Sequence, residues 1–200
     1  MTVNLDGFTA TIPEKAFYRF EYIYTRQIDT IPNIASDFAY ILGNEEIPVQ
    51  KQIEIRLRPA EKYAKSNKLY VVSVAKNGKF VAQGGRMNDG EVCTKVRALG
   101  TFALAVDNVK PTVMPVNFKN NTKVIKCKRL KIKIKDEESG IDKYDIYLNG
   151  KWVIGAYDAK NDLLYYDVDD FLKKGKNKMD IVVADGVGNE TRCTCTIIRE

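Results

Sequence analysis

Hydrophobic and polar residues alternate with a period of two along much of this chain of 200 residues. Residues 8–12, 53–57 and 130–135 each place apolar side chains at every second position, with Thr, Glu, Arg or Lys between them. Because successive side chains of a β-strand point to opposite faces, this pattern predicts antiparallel strands with one face in a core and the other in water. Denser apolar runs, which predict central strands, occur at residues 69–75, 102–106 and 181–184.

Short turn signals separate these segments. Asn-Gly and Asp-Gly pairs accept the positive φ that two-residue hairpin turns require, and they stand at residues 77–78, 89–90, 149–150 and 185–186. Helical signals are weak, with about two turns predicted at residues 59–66 and about one at residues 169–174. The sequence therefore predicts an all-β fold.

A change of pattern near residue 108 predicts a boundary between two domains. An apolar strand ends there, and the next segment carries Pro111 and Pro115, which lack an N–H donor and favour extended backbone. We expect a β-sandwich domain at residues 1–107 and a second sandwich at residues 108–200, each near the roughly 100 residues typical of this architecture. The second divides into seven predicted strands, which indicates two tandem antiparallel sandwiches with an immunoglobulin-like second domain.

The chain contains no histidine. This absence excludes Ser-His-Asp and Cys-His nucleophile systems, which need an imidazole base, and zinc sites with histidine ligands. Carboxylate chemistry, lysine chemistry or no catalysis remains. The net charge of +6 is spread along the chain, whereas a nucleic-acid-binding protein more often concentrates basic residues on one face. We therefore expect no nucleic-acid partner.

Membrane and export signals are also absent from the sequence pattern. No apolar run approaches the roughly 18–20 residues that span a bilayer, so no membrane span is expected. The first residues, MTVNLDG, have neither the basic region nor the apolar region of a signal peptide. We expect either a cytoplasmic protein or a fragment excised from a longer one.

Two carboxylates and an amide are the candidate metal ligands. In an immunoglobulin-like strand order, the loops that hold Asp136 and Asp185 lie at the same end of the sandwich, where Asn189 could join them. Carboxylate and amide oxygens are ligands that Ca²⁺ prefers. The alternative, which we favour, is that each side chain closes its own Asx-turn, because no calcium-loop spacing is present. No other cofactor is expected.

Aromatic residues provide the candidate ligand-binding positions. Tyr18, Phe20, Tyr22 and Tyr24 alternate along one predicted strand, and we expect them to fill the core. Trp152 and Tyr157 lie on a predicted hairpin in which residues 141–148 pair through Asn149-Gly150 with residues 151–157. An exposed aromatic there could stack on a sugar ring, so these two are the ligand-binding candidates.

A basic stripe runs through the start of the second domain. Lysines at every second position of a strand could follow an anionic polymer, but lysines on the wet face of a strand also block edge-to-edge aggregation, and that interpretation needs no partner. The stripe consists of Lys123, Lys126, Lys128, Arg129, Lys131, Lys133 and Lys135.

The four cysteines are too few and too irregular for a disulfide-rich scaffold. Cys193 and Cys195 point to the same side of one predicted strand, too far apart for an unstrained bridge between them. Cys127 could bridge to one of the pair, although buried free thiols are favoured. No base flanks any cysteine, so none is predicted to be a nucleophile.

The turns and corners of the second domain carry a resemblance. These segments resemble a bacterial immunoglobulin-like module: residues 136–141 (DEESGI), 149–152 (NGKW), 172–175 (LKKG) and 182–189 (VVADGVGN). The closer similarity is to the C-terminal region of secreted lysostaphin-type zinc endopeptidases of Gram-negative bacteria, where two β-sandwiches follow the peptidase domain. Residues 99–107 followed by 109–112 resemble the junction between those sandwiches, and residues 12–18 resemble an early strand of the first.

The resemblance implies that this chain is the non-catalytic end of a larger exported enzyme, located in the periplasm, at the cell surface or outside the cell. The metal-binding histidines of the peptidase have no counterpart here, so no catalytic residue can be assigned. The implied partners are an upstream catalytic domain, which this segment would position, and an envelope polysaccharide or protein. Two alternatives remain open: a stand-alone carboxylate-dependent glycan hydrolase, and an adhesin or structural stalk.

Overall fold

The computed structural model describes residues 1–29, 31–124 and 128–200. It divides the chain into two compact units, Met1–Asn108 and Val109–Glu200. The all-β prediction is confirmed, and within the described residues the helical structure is limited to a 3-10 helix at Glu61–Tyr63. The predicted helix at residues 59–66 is thus wrong in extent, because so short a segment cannot offset the cost of helix nucleation. None of the helical structure described is long and apolar enough to cross a membrane.

Unit 1 contains two five-stranded antiparallel sheets, with strand orders β1-β2-β5-β9-β8 and β3-β4-β10-β6-β7. The strands are β1 (Thr2–Leu5), β2 (Phe8–Thr11), β3 (Thr25–Ile28), β4 (Ala39–Leu42), β5 (Ile53–Leu57), β6 (Leu69–Val74), β7 (Phe80–Gly84), β8 (Arg86–Asn88), β9 (Glu91–Val96) and β10 (Gly100–Val106).

The core of unit 1 follows from the alternating pattern. β2 and β5 pair with Phe8 opposite Leu57, and the apolar residues of both strands are buried on one side of the sheet. The second sheet contributes Tyr40, Phe102 and Leu104 to the same cluster, so the two sheets form a sandwich. Tyr40 stacks on Phe8 with ring centroids 5.0 Å apart, and its hydroxyl donates to the backbone oxygen of Asp6 at 2.9 Å. A buried tyrosine therefore keeps its polar group satisfied.

Unit 2 contains a four-stranded sheet, β11-β13-β17-β16, and a five-stranded sheet, β12-β19-β18-β14-β15. The strands are β11 (Thr112–Pro115), β12 (Thr122–Val124), β13 (Arg129–Lys135), β14 (Ile141–Leu148), β15 (Lys151–Val153), β16 (Ala156–Asp158), β17 (Leu163–Asp167), β18 (Gly175–Asp185) and β19 (Glu190–Arg199).

The strand order of unit 2 is that of an immunoglobulin-like sandwich. All described pairs in it are antiparallel except that of β12 with β19, which is parallel. Ile132 and Ile134 of one sheet and Ile146, Ile181 and Val183 of the other lie in a single core cluster. The predicted fold class, two tandem antiparallel sandwiches with an immunoglobulin-like second one, is confirmed.

The predicted hairpin arm at residues 151–157 is wrong, because two strands occupy it. β15 pairs with β14, whereas β16 pairs with β17 in the other sheet. The chain crosses between the sheets at Gly155, where an added Cβ would lie 3.0 Å from side-chain atoms of both Ile146 and Leu164. Only a residue without a side chain fits between these two side chains without strain. Gly155 therefore determines where β15 ends and the chain crosses to β16.

The lysine row lies on the wet face of its strand, as the alternation predicts, but that strand is not at an edge of the sheet. β13 lies between β11 and β17, so Lys131 and Lys133 stand on the solvent face of an interior strand. Other cations of the stripe are in ion pairs: Arg129 with Asp167 and Lys135 with Glu137. Alternation shows which face is wet but not which strands are neighbours. Lys126 lies outside the described residues.

Candidate functional site

The outer face of the five-stranded sheet in unit 2 carries a row of facing residues. Trp152 on β15 lies opposite Tyr147 on β14, Tyr147 lies opposite Asp180 on β18, and Asp180 lies opposite Thr194 on β19. Their neighbours along each strand point into the core, so these side chains point outward. Together with Asp145 on the same side of β14, they form what we call the Trp152 face.

The indole of Trp152 is both exposed and oriented. Its residue is 56% exposed, and its Nε1–H donates to Oδ1 of Asp145 at 2.8 Å. A charge-assisted bond of this kind limits rotation of the ring, while the paired strands β14 and β15 fix the backbone beneath it. A fixed ring loses less conformational entropy when a ligand covers it. The Trp152 face thus presents a preorganised aromatic surface.

Asp180 supplies a nearly buried charge beside this aromatic surface. The residue is 7% exposed, accepts a hydrogen bond from the Thr194 hydroxyl at 2.5 Å and pairs with the Lys178 ammonium at 3.0 Å. The Thr194 hydrogen bond, opposed by burial and aided by Lys178, lowers the pKa of this carboxyl. Asp180 therefore stays ionised, and it holds Thr194 and Lys178 beside this face.

Tyr157, the second ligand-binding candidate, does not join Trp152. It lies on β16 in the other sheet and packs against the core, with its ring centroid 5.3 Å from that of Tyr144. Burial, followed by the charge of Asp162, raises the pKa of its hydroxyl. Tyr147 occupies the position beside Trp152 instead. The sequence signal that could have identified it is the register of the Asn149-Gly150 turn, which places these two residues opposite each other.

The loops of Asp136 and Asp185 lie side by side, as the immunoglobulin-like order predicts. The N–H of Gly186 donates to the backbone oxygen of Gly140 at 2.9 Å, and one carboxylate oxygen of Asp136 lies within 4.8 Å of one of Asp185. The structure also places Asn189 here, since its Nδ2 donates to Asp185 at 2.7 Å. The three calcium candidates are therefore neighbours.

Each of these carboxylates already accepts backbone hydrogen bonds. Asp136 Oδ1 accepts the N–H groups of Glu138 and Gly140 at 3.0 and 2.8 Å. Asp185 Oδ1 accepts those of Val187 and Asn189 at 3.0 and 2.7 Å. These are the contacts of Asx-turns, and they support the turn interpretation. Calcium binding by these residues stays a prediction.

The aromatic row of unit 1 is exposed, so its assignment to the core is wrong. Tyr18, Phe20, Tyr22 and Tyr24 are 70%, 82%, 86% and 57% exposed, whereas Ile23 between the last two packs against the core. The residues precede β3 and lie outside any strand. The aromatic residues do alternate along the segment, but it is Ile23 between them that packs against the core.

Two clefts of unit 1 each carry a glutamate that is engaged in an ion pair. One of about 320 Å³ is lined by Glu45, whose carboxylate lies 2.7 Å from the Lys76 ammonium. Another of about 300 Å³ is lined by Glu14 and Glu21, and Arg19 lies 2.7 Å from the Glu21 carboxylate. The carboxylates of Glu45 and Glu21 are thus occupied by neighbouring cations.

The described cysteines, Cys93, Cys193 and Cys195, are free thiols. Burial raises the pKa of each, and for Cys195 the value is about 11. A thiol that stays protonated at neutral pH is a weak nucleophile, which agrees with a structural role. The predicted bridge partner Cys127 lies outside the described residues.

Comparison with protein families identifies unit 1. A family model described as the Zu5-like domain matches residues 1–107. No curated protein matches the chain.

Solved structures give weaker likenesses. An endo-β-1,4-mannanase from Thermotoga petrophila is 11% identical over 47% of this chain and 20% of its own, with a TM-score of 0.40. The chain thus spans only a fifth of that enzyme. Fibronectin(III)-like modules of CbhA from Clostridium thermocellum are 14% identical over 96% of this chain and 84% of theirs, with a TM-score of 0.37. A chimeric titin Z1Z2 tandem is 10% identical over 75% of this chain and 91% of its own, with a TM-score of 0.32. Similarity at this level carries no functional information.

Proposed function

The chain belongs to the Zu5-like domain family through residues 1–107, and from this premise we propose that it is a non-catalytic accessory segment of an exported bacterial protein. Its task would be to bind envelope polysaccharide through the Trp152 face of unit 2. The absence of histidine and the raised pKa values of the described thiols support a role without catalysis.

The observation that carries this proposal is the exposed, hydrogen-bonded indole of Trp152 beside Tyr147. A sugar ring has an apolar face of C–H groups and an edge of hydroxyls. The aromatic pair matches the apolar face, and the oxygens of Asp145 and Thr194 match the hydroxyls as hydrogen-bond partners. An open sheet face suits an extended polymer better than a small molecule, which would be enclosed in a cavity.

The parent protein is proposed from the resemblance to lysostaphin-type zinc endopeptidases. In such a parent this chain would position the peptidase domain on its substrate, in the periplasm, at the cell surface or outside the cell. The zinc would belong to the catalytic domain, because this chain has no histidine to bind it. A genomic reading frame that extends upstream into a His-x-His element would support this parentage, and a stop codon directly upstream would contradict it.

A pull-down tests the binding proposal. The 200-residue chain is incubated with insoluble peptidoglycan and with other envelope polysaccharides, and the bound fraction is measured for wild type, Trp152→Ala and Tyr165→Ala. Tyr165 is a matched control because it is an aromatic on β17, in the other sheet, with Arg129 over its ring.

We expect wild type and Tyr165→Ala to bind at least one polysaccharide and Trp152→Ala to lose most of that binding. Equal binding by all three proteins would contradict the role of the Trp152 face. Turnover of the polysaccharide by wild type would contradict the non-catalytic role and favour the hydrolase alternative.

A further inference from the structure

Four aromatic side chains project from one segment of unit 1. Tyr18, Phe20, Tyr22 and Tyr24, which we call the aromatic ridge, are 57–86% exposed. The rings of Phe20 and Tyr22 contact each other edge to face, with centroids 5.2 Å apart and an angle of 89°. Of the residues between them, Arg19 is exposed, the side chain of Glu21 is 15% exposed, and Ile23 packs against the core. The segment is therefore held against the unit while its rings remain in water.

The ridge is large compared with ordinary apolar surface. Each ring buries about 150–250 Å² when covered, so four rings at these exposures offer roughly 450–750 Å². The largest apolar patch of a typical monomer is about 300–600 Å², and a stable interface buries about 800 Å² on each partner. The ridge alone thus approaches the area that one side of a stable dimer needs.

The backbone of the ridge also has unused bonding capacity. Among the residues that the structure describes, none makes a backbone–backbone hydrogen bond to residues 19–23. The segment continues into β3, which is an edge strand of its sheet. Such a segment is a template for pairing with an extended segment of another chain.

The surface is complementary to itself. The protruding rings of Tyr18 and Phe20 border clefts of about 330 and 300 Å³, so ridge and groove lie on one surface. The charges within the segment, Arg19 and Glu21, neutralise each other at 2.7 Å. A twofold axis would set the ridge of one copy into the grooves of the other without opposing like charges.

We propose that the aromatic ridge is a homodimer interface, with a second copy of this chain as its occupant. The two ridges pair antiparallel about a twofold axis, and residues 19–23 of each copy exchange backbone hydrogen bonds while the rings are buried. The perpendicular arrangement of Phe20 and Tyr22 disfavours a polysaccharide as occupant, because the two rings do not form one flat surface. Dimerisation is independent of polysaccharide binding by the Trp152 face, and either can fail without the other.

Sedimentation equilibrium of the 200-residue chain, over an about hundredfold range of concentration, tests the interface. Wild type is expected to shift from 22.7 kDa to twice that mass as concentration rises. Phe20→Ser and Tyr22→Ser should each weaken the dimer by roughly tenfold or more, because truncated aromatic anchors dominate interface energies. The control Val81→Ser removes an exposed apolar residue from β7, at the opposite edge of the same sheet, and should dimerise like wild type.

A second variant keeps all four rings. Arg19→Glu replaces the cation that neutralises Glu21 with a second carboxylate in each copy, so the dimer should weaken at low salt and recover at high salt. A wild-type chain that stays at 22.7 kDa throughout would overturn the proposal, whether or not it binds polysaccharide. So would a dimer that survives Phe20→Ser and Tyr22→Ser, or one that Val81→Ser disrupts.

Discussion

The aromatic ridge of unit 1 and the Trp152 face of unit 2 both expose large rings, but the two surfaces are built differently. Trp152 stands on paired strands, and Asp145 holds its indole at 2.8 Å. Residues 19–23 of the ridge segment make no backbone–backbone hydrogen bond within the described chain, and the rings of Phe20 and Tyr22 contact each other. The first arrangement presents a fixed surface, and the second an adaptable one.

This difference separates the kinds of partner that each surface suits. A fixed flat ring stacks on a rigid, repetitive ligand with little loss of entropy. An extended segment with free backbone groups gains most from another polypeptide, which can satisfy those groups as it covers the rings. Exposure alone therefore does not identify a binding site, and the hydrogen bonding beneath the ring decides what the ring can bind.

The largest effect is expected from a substitution that removes the support of the Trp152 face. Ile146 is 1% exposed, lies on β14 and packs in the core directly beneath this sheet. Ile146→Ala should destabilise unit 2 by about 2–5 kcal/mol, because it creates a cavity, and should weaken polysaccharide binding with it. Urea unfolding followed by the fluorescence of Trp152 measures the effect, and a change below about 1 kcal/mol would contradict the packing described.

A buried tyrosine provides the next contrast with the exposed ones. Burial, followed by the charges of Asp6 and Asp37, raises the pKa of Tyr40 to about 12 from an ordinary value of 10.0. The folded chain holds this proton more tightly than the unfolded chain. The protonated hydroxyl therefore contributes fully to the free energy of unfolding below pH 10, and this contribution is lost as the pH rises towards 12. The free energy of unfolding should fall by roughly 2–3 kcal/mol over this range.

Urea unfolding at several alkaline pH values, followed by circular dichroism, tests this dependence. Tyr40→Phe loses the hydrogen bond to Asp6, which costs about 1 kcal/mol. Its free energy of unfolding should nevertheless fall less steeply between pH 10 and 12 than that of the wild type. An equally steep decline in that variant would assign the effect to other groups.

Weakening the hydrogen bond that orients Trp152 should have a smaller effect, and it should change polysaccharide binding but not stability. Asp145→Asn keeps an acceptor for the indole N–H but removes the charge, so we expect polysaccharide affinity to fall about three- to tenfold. The free energy of unfolding should change by less than about 0.5 kcal/mol, as is usual at the surface. An unchanged affinity would mean that the ring needs no charged partner.

The smallest effect is expected at the ridge. Tyr22 is 86% exposed, so Tyr22→Ala should change the unfolding free energy of the dilute chain by no more than about 0.5 kcal/mol. The same measurement by circular dichroism on Tyr40→Ala, which removes a core ring, provides the contrast. A loss of several kcal/mol in Tyr22→Ala would mean that the ridge contributes to the core of unit 1.

The sequence predicted strands well where one face of the alternating pattern is apolar and the other is charged. Apolar against charged residues in β13 placed Ile132 in the core without ambiguity. In residues 18–24 the alternating aromatic side chains are exposed and Ile23 packs against the core, so periodicity alone does not say which face is buried. The turn at Asn149-Gly150 fixed the pairing of Tyr147 with Trp152, but the crossing at Gly155 depends on contacts with Ile146 and Leu164 that lie far from it in sequence.

The measurement that tests polysaccharide binding most directly is the fluorescence of the chain's single tryptophan. Because Trp152 is both the reporter and the proposed contact, soluble peptidoglycan or polysaccharide fragments added to the wild-type chain should produce a saturable blue shift as sugar replaces water over the indole. Tyr165→Ala should give the same titration curve. Polysaccharide binding in the pull-down without any change in the emission of Trp152 would contradict the proposed site.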